Sequence, residues 1–407
     1  MIVFAREPVF APDGHVFAYQ INIGQSYQES LLKGAITDPT NERQAHVTWS
    51  DLLNGFVSIL NISGNVLMQE LPQDIVPEDT LFEIDSTTNT SILMKRLVEL
   101  KTQGFRFVAS EAFEPDENVL PLIDYVKVKP SPTTNDKSSV RKTMFNKHNV
   151  KSIAVDIHDQ ASYELARNEG YDFYQGFFFL EREKKQSDDL PANKLNVLRL
   201  LTEINNDELD INKLEKVFEQ DATLSYLLFR YINNPMVNKY QKILSIRHAL
   251  SYLGEVMIKK FIAIVSLTHM NAGNTPELLQ VSLVRAKFCE LVSTKMQPSA
   301  DPTIAFLIGL FSLIDVILGR DMAFLMTKVA LPDEIKNTLL TKQGVLYLLI
   351  KASRGLESAH WDSILAALDS MKMSSTELNG YYVQAVKWAN DSGIPDSSDF
   401  PLKKTTP

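Results

Sequence analysis

The apolar pattern of this chain changes period once, and that change limits the folds open to it. Before about Leu180, short runs of β-branched and aromatic residues alternate with amphipathic stretches; after Lys194, apolar residues recur at spacings of three and four. GFVSILNI (55–62), TLFEID (80–85), GFRFVAS (104–110), YVKVKP (125–130), SIAVDI (152–157) and FYQGFFFL (173–180) read as strands. SILMKRLVELKTQG and DQASYELARNEG read as helices that close on Gly104 and Gly170, the residue type that tolerates the left-handed turn at a helix end. Repeated strand–helix units with strands apolar along most of their length argue a parallel sheet, open or closed into a barrel. One early strand departs from the rest. In FAYQINIG, Phe17 to Gly24, Tyr19, Ile21 and Ile23 alternate with Ala18, Gln20 and Asn22, so the second face is small or polar. Were that face to line a barrel mouth, Gln20 and Asn22 would meet whatever is bound there.

EREKKQSDDLPANK, Glu181 to Lys194, is charged, aperiodic and carries Pro191, which marks it as a linker. Beyond it, LNVLRLLTEINN, INKLEKVFEQDATLSYLLFRYINN, SIRHALSYLGEVMIKKFIAIVSL and PELLQVSLVRAKFCELVSTKM read as long amphipathic helices. Breaks are expected at Asn233-Asn234-Pro235, at Asn271 to Thr275 and at Pro302. The division is an α/β domain over residues 1–182, a linker over 183–194, an all-helical domain over 195–396 and a flexible tail over 397–407.

Charge excludes some partners. A net charge of −9 at pH 7 opposes broad capture of nucleic acid or of an anionic membrane, both of which need a positive surface. The Lys-Lys runs at 184, 259 and 403 read as solvated surface. The single cysteine, Cys289, rules out an internal disulfide framework and fits a reducing cytoplasm; among Ala286, Phe288 and Leu291 it reads as a buried thiol. MIVFAREPVF carries Arg6 and Glu7 where an export signal needs an unbroken apolar run. IAFLIGLFSLIDVILG, Ile304 to Gly319, falls short of the roughly 20 residues that span a bilayer and reads as a core helix. A cytoplasmic protein without a membrane span is expected. No phosphate-cradling glycine loop and no nucleophile–histidine signature is present, and the one adjacent His-Asp pair, His158-Asp159, reads as a chance neighbour.

The first 180 residues resemble an EAL domain, the (βα)8-barrel phosphodiesterase of cyclic di-GMP. The resemblance runs through FAREPVFAPDGHVFAYQINIG, LNIS, FEID, VASEAF, DYVKV, IAVDIH and YQGFFF, in the family's order. It implies a TIM-like barrel, here shortened relative to the usual family length. From Leu195 onward, FEQDATLSYLLFRYINNP, SIRHALSYLG, AFLIGLFSLIDVILGR and LPDEIKNTLLTKQG resemble an HDOD domain, a helical relative of HD-type phosphohydrolases. The implied fold is an EAL-type (β/α) barrel followed by an all-helical HDOD domain.

Enzymes of the EAL family cleave a phosphodiester with two divalent ions, which need a ring of carboxylates. By the resemblance, Gln20 stands where the family's first glutamate would be, and Gly24 where an arginine would be. Ser110 and Glu111 replace its paired aspartates, and Val155 replaces a later glutamate. Asn61, Glu83, Lys127 and Gln175 match the family's residues. In the helical half, the resemblance places Val281 at one lost metal-binding histidine and Ser312 and Leu313 at the His-Asp pair. These losses lead to the expectation that the chain is not an enzyme, has no catalytic residues, holds no metal or cofactor and does not favour cyclic di-GMP binding. The expected role is a signalling protein acting through protein partners on motility- or biofilm-type output, with self-association left open. A cyclic di-GMP receptor or a weakly active phosphodiesterase is the alternative.

Overall fold

The computed structural model describes residues 4–23, 36–37, 46–47, 53, 55–73, 75–85, 91–114, 119–132, 137–181, 201, 209–235, 237–238, 242–296, 298–358 and 361–392. Gly24, the 183–194 linker and the 397–407 tail lie outside these residues. The chain divides into two compact units. One comprises Met1–Arg182 with Gly355–Asp362 and Ser374–Gly380, and the other Glu183–Arg354, Ser363–Met373 and Tyr381–Pro407.

The first unit is a closed barrel. Its strands are β1 (Phe4–Phe10), β2 (Val16–Ile23), β5 (Val57–Asn61), β6 (Thr80–Ile84), β7 (Arg106–Ala109), β8 (Ile123–Val128), β9 (Lys151–Ala154) and β10 (Phe173–Gln175); β3 (Ile36–Thr37) and β4 (His46–Val47) pair separately. Order around the barrel is β1-β10-β9-β8-β7-β6-β5-β2. β2 and β5 to β10 run parallel to their neighbours, whereas β1 is antiparallel to both β2 and β10. The interior is filled in layers. Val9, Ala18, Ile59, Leu81, Val108, Tyr125, Ile153 and Phe173 form one apolar cluster with contributions from all eight strands. Because strand side chains alternate, the residues two positions nearer the mouth form the next inward layer.

FYQGFFFL is not one strand. β10 stops at Gln175, Gly176 takes φ +143°, and Phe178–Leu180 form a 3-10 turn. A side chain at Gly176 would put its Cβ 2.1 Å from the Ile157 carbonyl oxygen, so the chain turns there at close backbone approach. His158-Asp159 also has a structural account. Asp159 is the N-cap of the helix Gln160–Asn168 and forms a capping box with Ser162.

The second unit is helical, and side-chain caps cut it into segments. Asp221 ends the helix Ile211–Gln220 and caps Ala222–Ile232 through Thr223 and Leu224, so INKLEKVFEQDATLSYLLFRYINN is two helices. Ser245 caps Ile246–Met270, which is interrupted at Gly254 with φ +67°. Pro276–Ser293 and Pro302–Phe311 pack closely, and a short helix, Ile314–Leu318, follows Ser312 and Leu313 and ends on left-handed Gly319. Phe306, Leu307, Ile308, Leu310, Phe311 and Ile314 are buried, as a core segment requires. Cys289 is buried too.

The Lys-Lys run at 259 is not uniformly solvated. Lys260 is buried and pairs with Glu290 at 2.6 Å, a carboxylate that also meets Lys287 at 3.0 Å. No single helix among the described residues is long and apolar enough to cross a membrane; Pro302–Leu318 with Met322–Lys328 passes only as a pair bent by 110°.

Candidate functional site

Counting two residues from each member of the apolar layer gives Glu7, Gln20, Asn61, Glu83, Ser110, Lys127, Val155 and Gln175. This layer sits at the C-terminal ends of the parallel strands, where βα loops deliver ligand-handling groups in barrels of this type. Seven of its members are the positions singled out by resemblance. The eighth, Glu7, was missed. β1 runs antiparallel, so its mouth-facing residue lies before Val9 in sequence, and the register pairs Glu7 with Gln20.

At the centre stands Lys127. Its Nζ donates to Glu83 Oε2 at 2.8 Å and to Gln20 Oε1 at 2.7 Å, and Gln20 Nε2 donates to Glu83 Oε2 at 2.9 Å. The Lys127 and Glu83 side chains are 7% and 8% exposed. In so dry a place, the pair is tolerable because each charge has a close partner and the amide supplies further hydrogen bonds. Across the mouth, Gln175 Nε2 donates to Glu7 Oε2 at 2.6 Å. Burial raises the Glu7 carboxyl above its ordinary value, against the opposing pull of the Gln175 hydrogen bond and of the Lys127 and His158 charges.

Two polar atoms of this layer have no hydrogen-bond partner: Ser110 Oγ and Gln175 Oε1, on residues 8% and 7% exposed. An unmet buried polar atom costs about 1–3 kcal/mol, so each is a place where a ligand's complementary group gains. Val155 is buried and apolar. Asn61 and Glu111 are exposed, as is Asp156, which pairs with Lys129 at 2.8 Å. Another residue unmarked by sequence reasoning, Arg141 on the helix Lys137–Asn146, donates Nη2 to the Ser110 carbonyl at 2.6 Å and Nη1 to that of Phe113. It ties down the loop leaving β7, and its burial lowers its affinity for a proton. No motif signalled it, because its partners are backbone carbonyls distant in sequence.

The donor set does not fit the two divalent ions that an EAL domain implies. Gln20 offers an amide, Ser110 a hydroxyl and Val155 nothing, while Glu83 is engaged by an ammonium. Among the described residues, no group of three or more His, Cys, Asp or Glu converges on one point.

In the second unit, Val281 is buried on Pro276–Ser293 and Leu313 is buried between Pro302–Phe311 and Ile314–Leu318. Ser312 Oγ donates to the Gly309 carbonyl at 2.8 Å and accepts from Arg285 Nη1 at 3.2 Å.

The family model described as "HDOD domain" matches residues 190–338. YuxH of Bacillus subtilis is 27% identical over 408 residues, covering 96% of this chain and 98% of its own length. The cyclic di-GMP phosphodiesterase CdgJ of Vibrio cholerae is 25% identical over 407 residues, covering 95% of this chain and 92% of its own. The EAL domain of Mycobacterium smegmatis DcpA superposes with a TM-score of 0.34 at 13% identity, over 44% of this chain and 91% of that domain. The expectation that the chain is not an enzyme is thereby corrected: a relative aligned along nearly its whole length carries the name of a phosphodiesterase. The chain thus joins a closed eight-stranded barrel, on which the EAL-like motifs lie in order, to a region, residues 190–338, that matches the HDOD domain model.

Proposed function

We propose that this chain is a cyclic di-GMP signalling protein whose barrel mouth binds the cyclic dinucleotide and whose HDOD domain passes the bound state on through protein contacts. The observation that carries the reading is the pair of unmet polar atoms, Ser110 Oγ and Gln175 Oε1, in the layer of inward side chains at the barrel mouth. A hydroxyl able to donate and an amide oxygen able to accept suit a ligand that offers both phosphate oxygens and base or ribose donors. Asn61 adds an exposed amide at the rim.

Titration calorimetry with cyclic di-GMP tests this directly. Ser110→Ala and Gln175→Leu remove the two atoms with little change of volume, and each is expected to weaken binding about tenfold, the equivalent of roughly 1.4 kcal/mol. Absence of heat and of any thermal shift at millimolar dinucleotide would sink the reading.

A second reading, hydrolysis of the dinucleotide, is favoured by the alignment with CdgJ. It is read in the same samples by chromatography of the linear product. Turnover that disappears in Glu83→Gln would place it at this mouth; turnover unaffected by that change would place it elsewhere or in a contaminant.

A further inference from the structure

We infer that Lys129 is the residue at the barrel mouth that takes a phosphate group of the ligand, exchanging its ion pair with Asp156 for that phosphate as the ligand enters. The inference rests on the reading that the mouth binds a cyclic dinucleotide. It adds the cation that meets the ligand's charge and the carboxylate that competes for it.

A cyclic dinucleotide carries a negative charge on each phosphate, so the mouth must offer a positive group. Lys127 is poorly suited to this. It is buried and shared between Glu83 and Gln20, and drawing it away would leave the Glu83 carboxylate buried and uncompensated. Lys129 follows it by two residues, just beyond the end of β8, which sets it on the same side and one step farther out. Its Nζ lies 2.8 Å from Asp156 Oδ2, and the two side chains are 61% and 46% exposed. An exposed pair contributes little, because water solvates both charges when they part, so the ammonium can leave Asp156 for another anion at small cost. The surroundings are those of the mouth. The Asp156 hydrogen bond, then the charges of Asp156 and of Glu111 beside Ser110, strengthen the hold of Lys129 on its proton, and Asp156 adds to the effect of burial on the Glu7 carboxyl.

Asp156 is fixed where Lys129 can swing. Its φ of +59° is a left-handed conformation that Asp and Asn adopt more readily than other residues with a side chain. Both neighbours are anchored: Val155 and Ile157 are buried, the Val155 N–H donates to the Val128 carbonyl, and the Ile157 N–H donates to that of Gln175. The carboxylate is therefore held at a set place beside the mouth, and the flexible stem of Lys129 does the moving.

Titration calorimetry with cyclic di-GMP on the full chain, at low and at moderate salt, compares wild type with Lys129→Met, Lys129→Arg, Asp156→Asn and the Lys129→Met/Asp156→Asn double variant. Both positions are exposed and asparagine accepts the left-handed backbone, so all four variants should melt within about 2 °C of wild type. Lys129→Met should weaken binding about tenfold and flatten its dependence on salt, whereas Lys129→Arg should stay within about threefold of wild type. Asp156→Asn removes the competing carboxylate and should tighten binding about threefold, a gain that vanishes when residue 129 is methionine. Equal affinity of wild type and Lys129→Met, or a gain from Asp156→Asn that persists without the lysine, overturns the inference and leaves the dinucleotide reading standing. A wild type that binds no dinucleotide overturns both. Lys129→Gln supplies the same comparison should the methionine variant not fold.

Discussion

Lys127→Met asks how much the barrel depends on the ion pair at its mouth. The side chain it replaces is 7% exposed and holds two hydrogen bonds, one to Glu83 and one to Gln20. Removing one partner of a buried pair costs about 3–5 kcal/mol, because the other charge stays buried without compensation. Glu83 keeps one donor, Gln20 Nε2 at 2.9 Å, which places the expected loss in the lower half of that range, about 3–4 kcal/mol. At roughly 2–4 °C per kcal/mol for a domain of this size, the barrel transition should fall by about 6–16 °C in scanning calorimetry. Glu83→Gln combined with Lys127→Met leaves no buried charge and lets two amides face each other. The double variant should therefore recover to within about 1–2 kcal/mol of wild type. A single variant within about 0.5 kcal/mol of wild type, or a double variant whose loss is the sum of the singles, would refute the claim that the pair is desolvated and coupled.

Glu7 gives a pH signature. Its carboxyl is raised by burial, so the folded state binds its proton more tightly than the unfolded chain does. Its contribution to stability is therefore fully present below the ordinary carboxylate value and lost as pH rises through the raised one. Glu7→Gln keeps an acceptor for Gln175 without the charge, and its stability relative to wild type should increase across that interval in urea titrations at stepped pH; a constant difference would contradict the assignment. Gly176→Ala meets the Ile157 carbonyl oxygen at 2.1 Å and a φ of +143°; about 3 kcal/mol or more of stability should be lost, together with the position of Gln175, read by urea midpoint and by ligand binding. For Gly309→Ala the blocking atoms are Arg285 and Ala286 backbone, 2.4–2.7 Å away. Overpacking should outweigh the helix-propensity gain and leave a net loss of about 1–2 kcal/mol in thermal unfolding.

Much of the fold was open to reading from local pattern, because strands and helices announce themselves by period. The strand runs from Val57 to Lys127 fell where β5 to β8 lie, and the breaks at Asn233, Asn271 and Pro302 fell at helix ends. Local pattern failed where one residue's hydrogen bonding decided the outcome. Asp221 divides an amphipathic run by capping its second half, and Gly254 breaks another, yet neither disturbs the apolar spacing that suggested a continuous helix. Phe177, Phe178 and Phe179 look like strand residues, but the turn at Gly176 ends β10 and sends them into a 3-10 turn. Lys260 resembles its half-buried neighbour Lys259 in sequence, yet it is fully buried where Glu290 comes to it from the next helix.

The candidate site divides in the same way. Sequence by itself determined which side chains line the mouth along each parallel strand, since alternation fixes their direction once one apolar position is known: Gln20 follows from Ala18, Glu83 from Leu81 and Lys127 from Tyr125. Closure of the barrel decided the rest. It alone brings Lys127 of β8 to Gln20 of β2, 107 residues away, and seats Glu7 beside Gln175 across the antiparallel β1. Chain order carries no such information, because the distance between two inward side chains depends on how the sheet curves back upon itself, and that is set by the packing of the whole core.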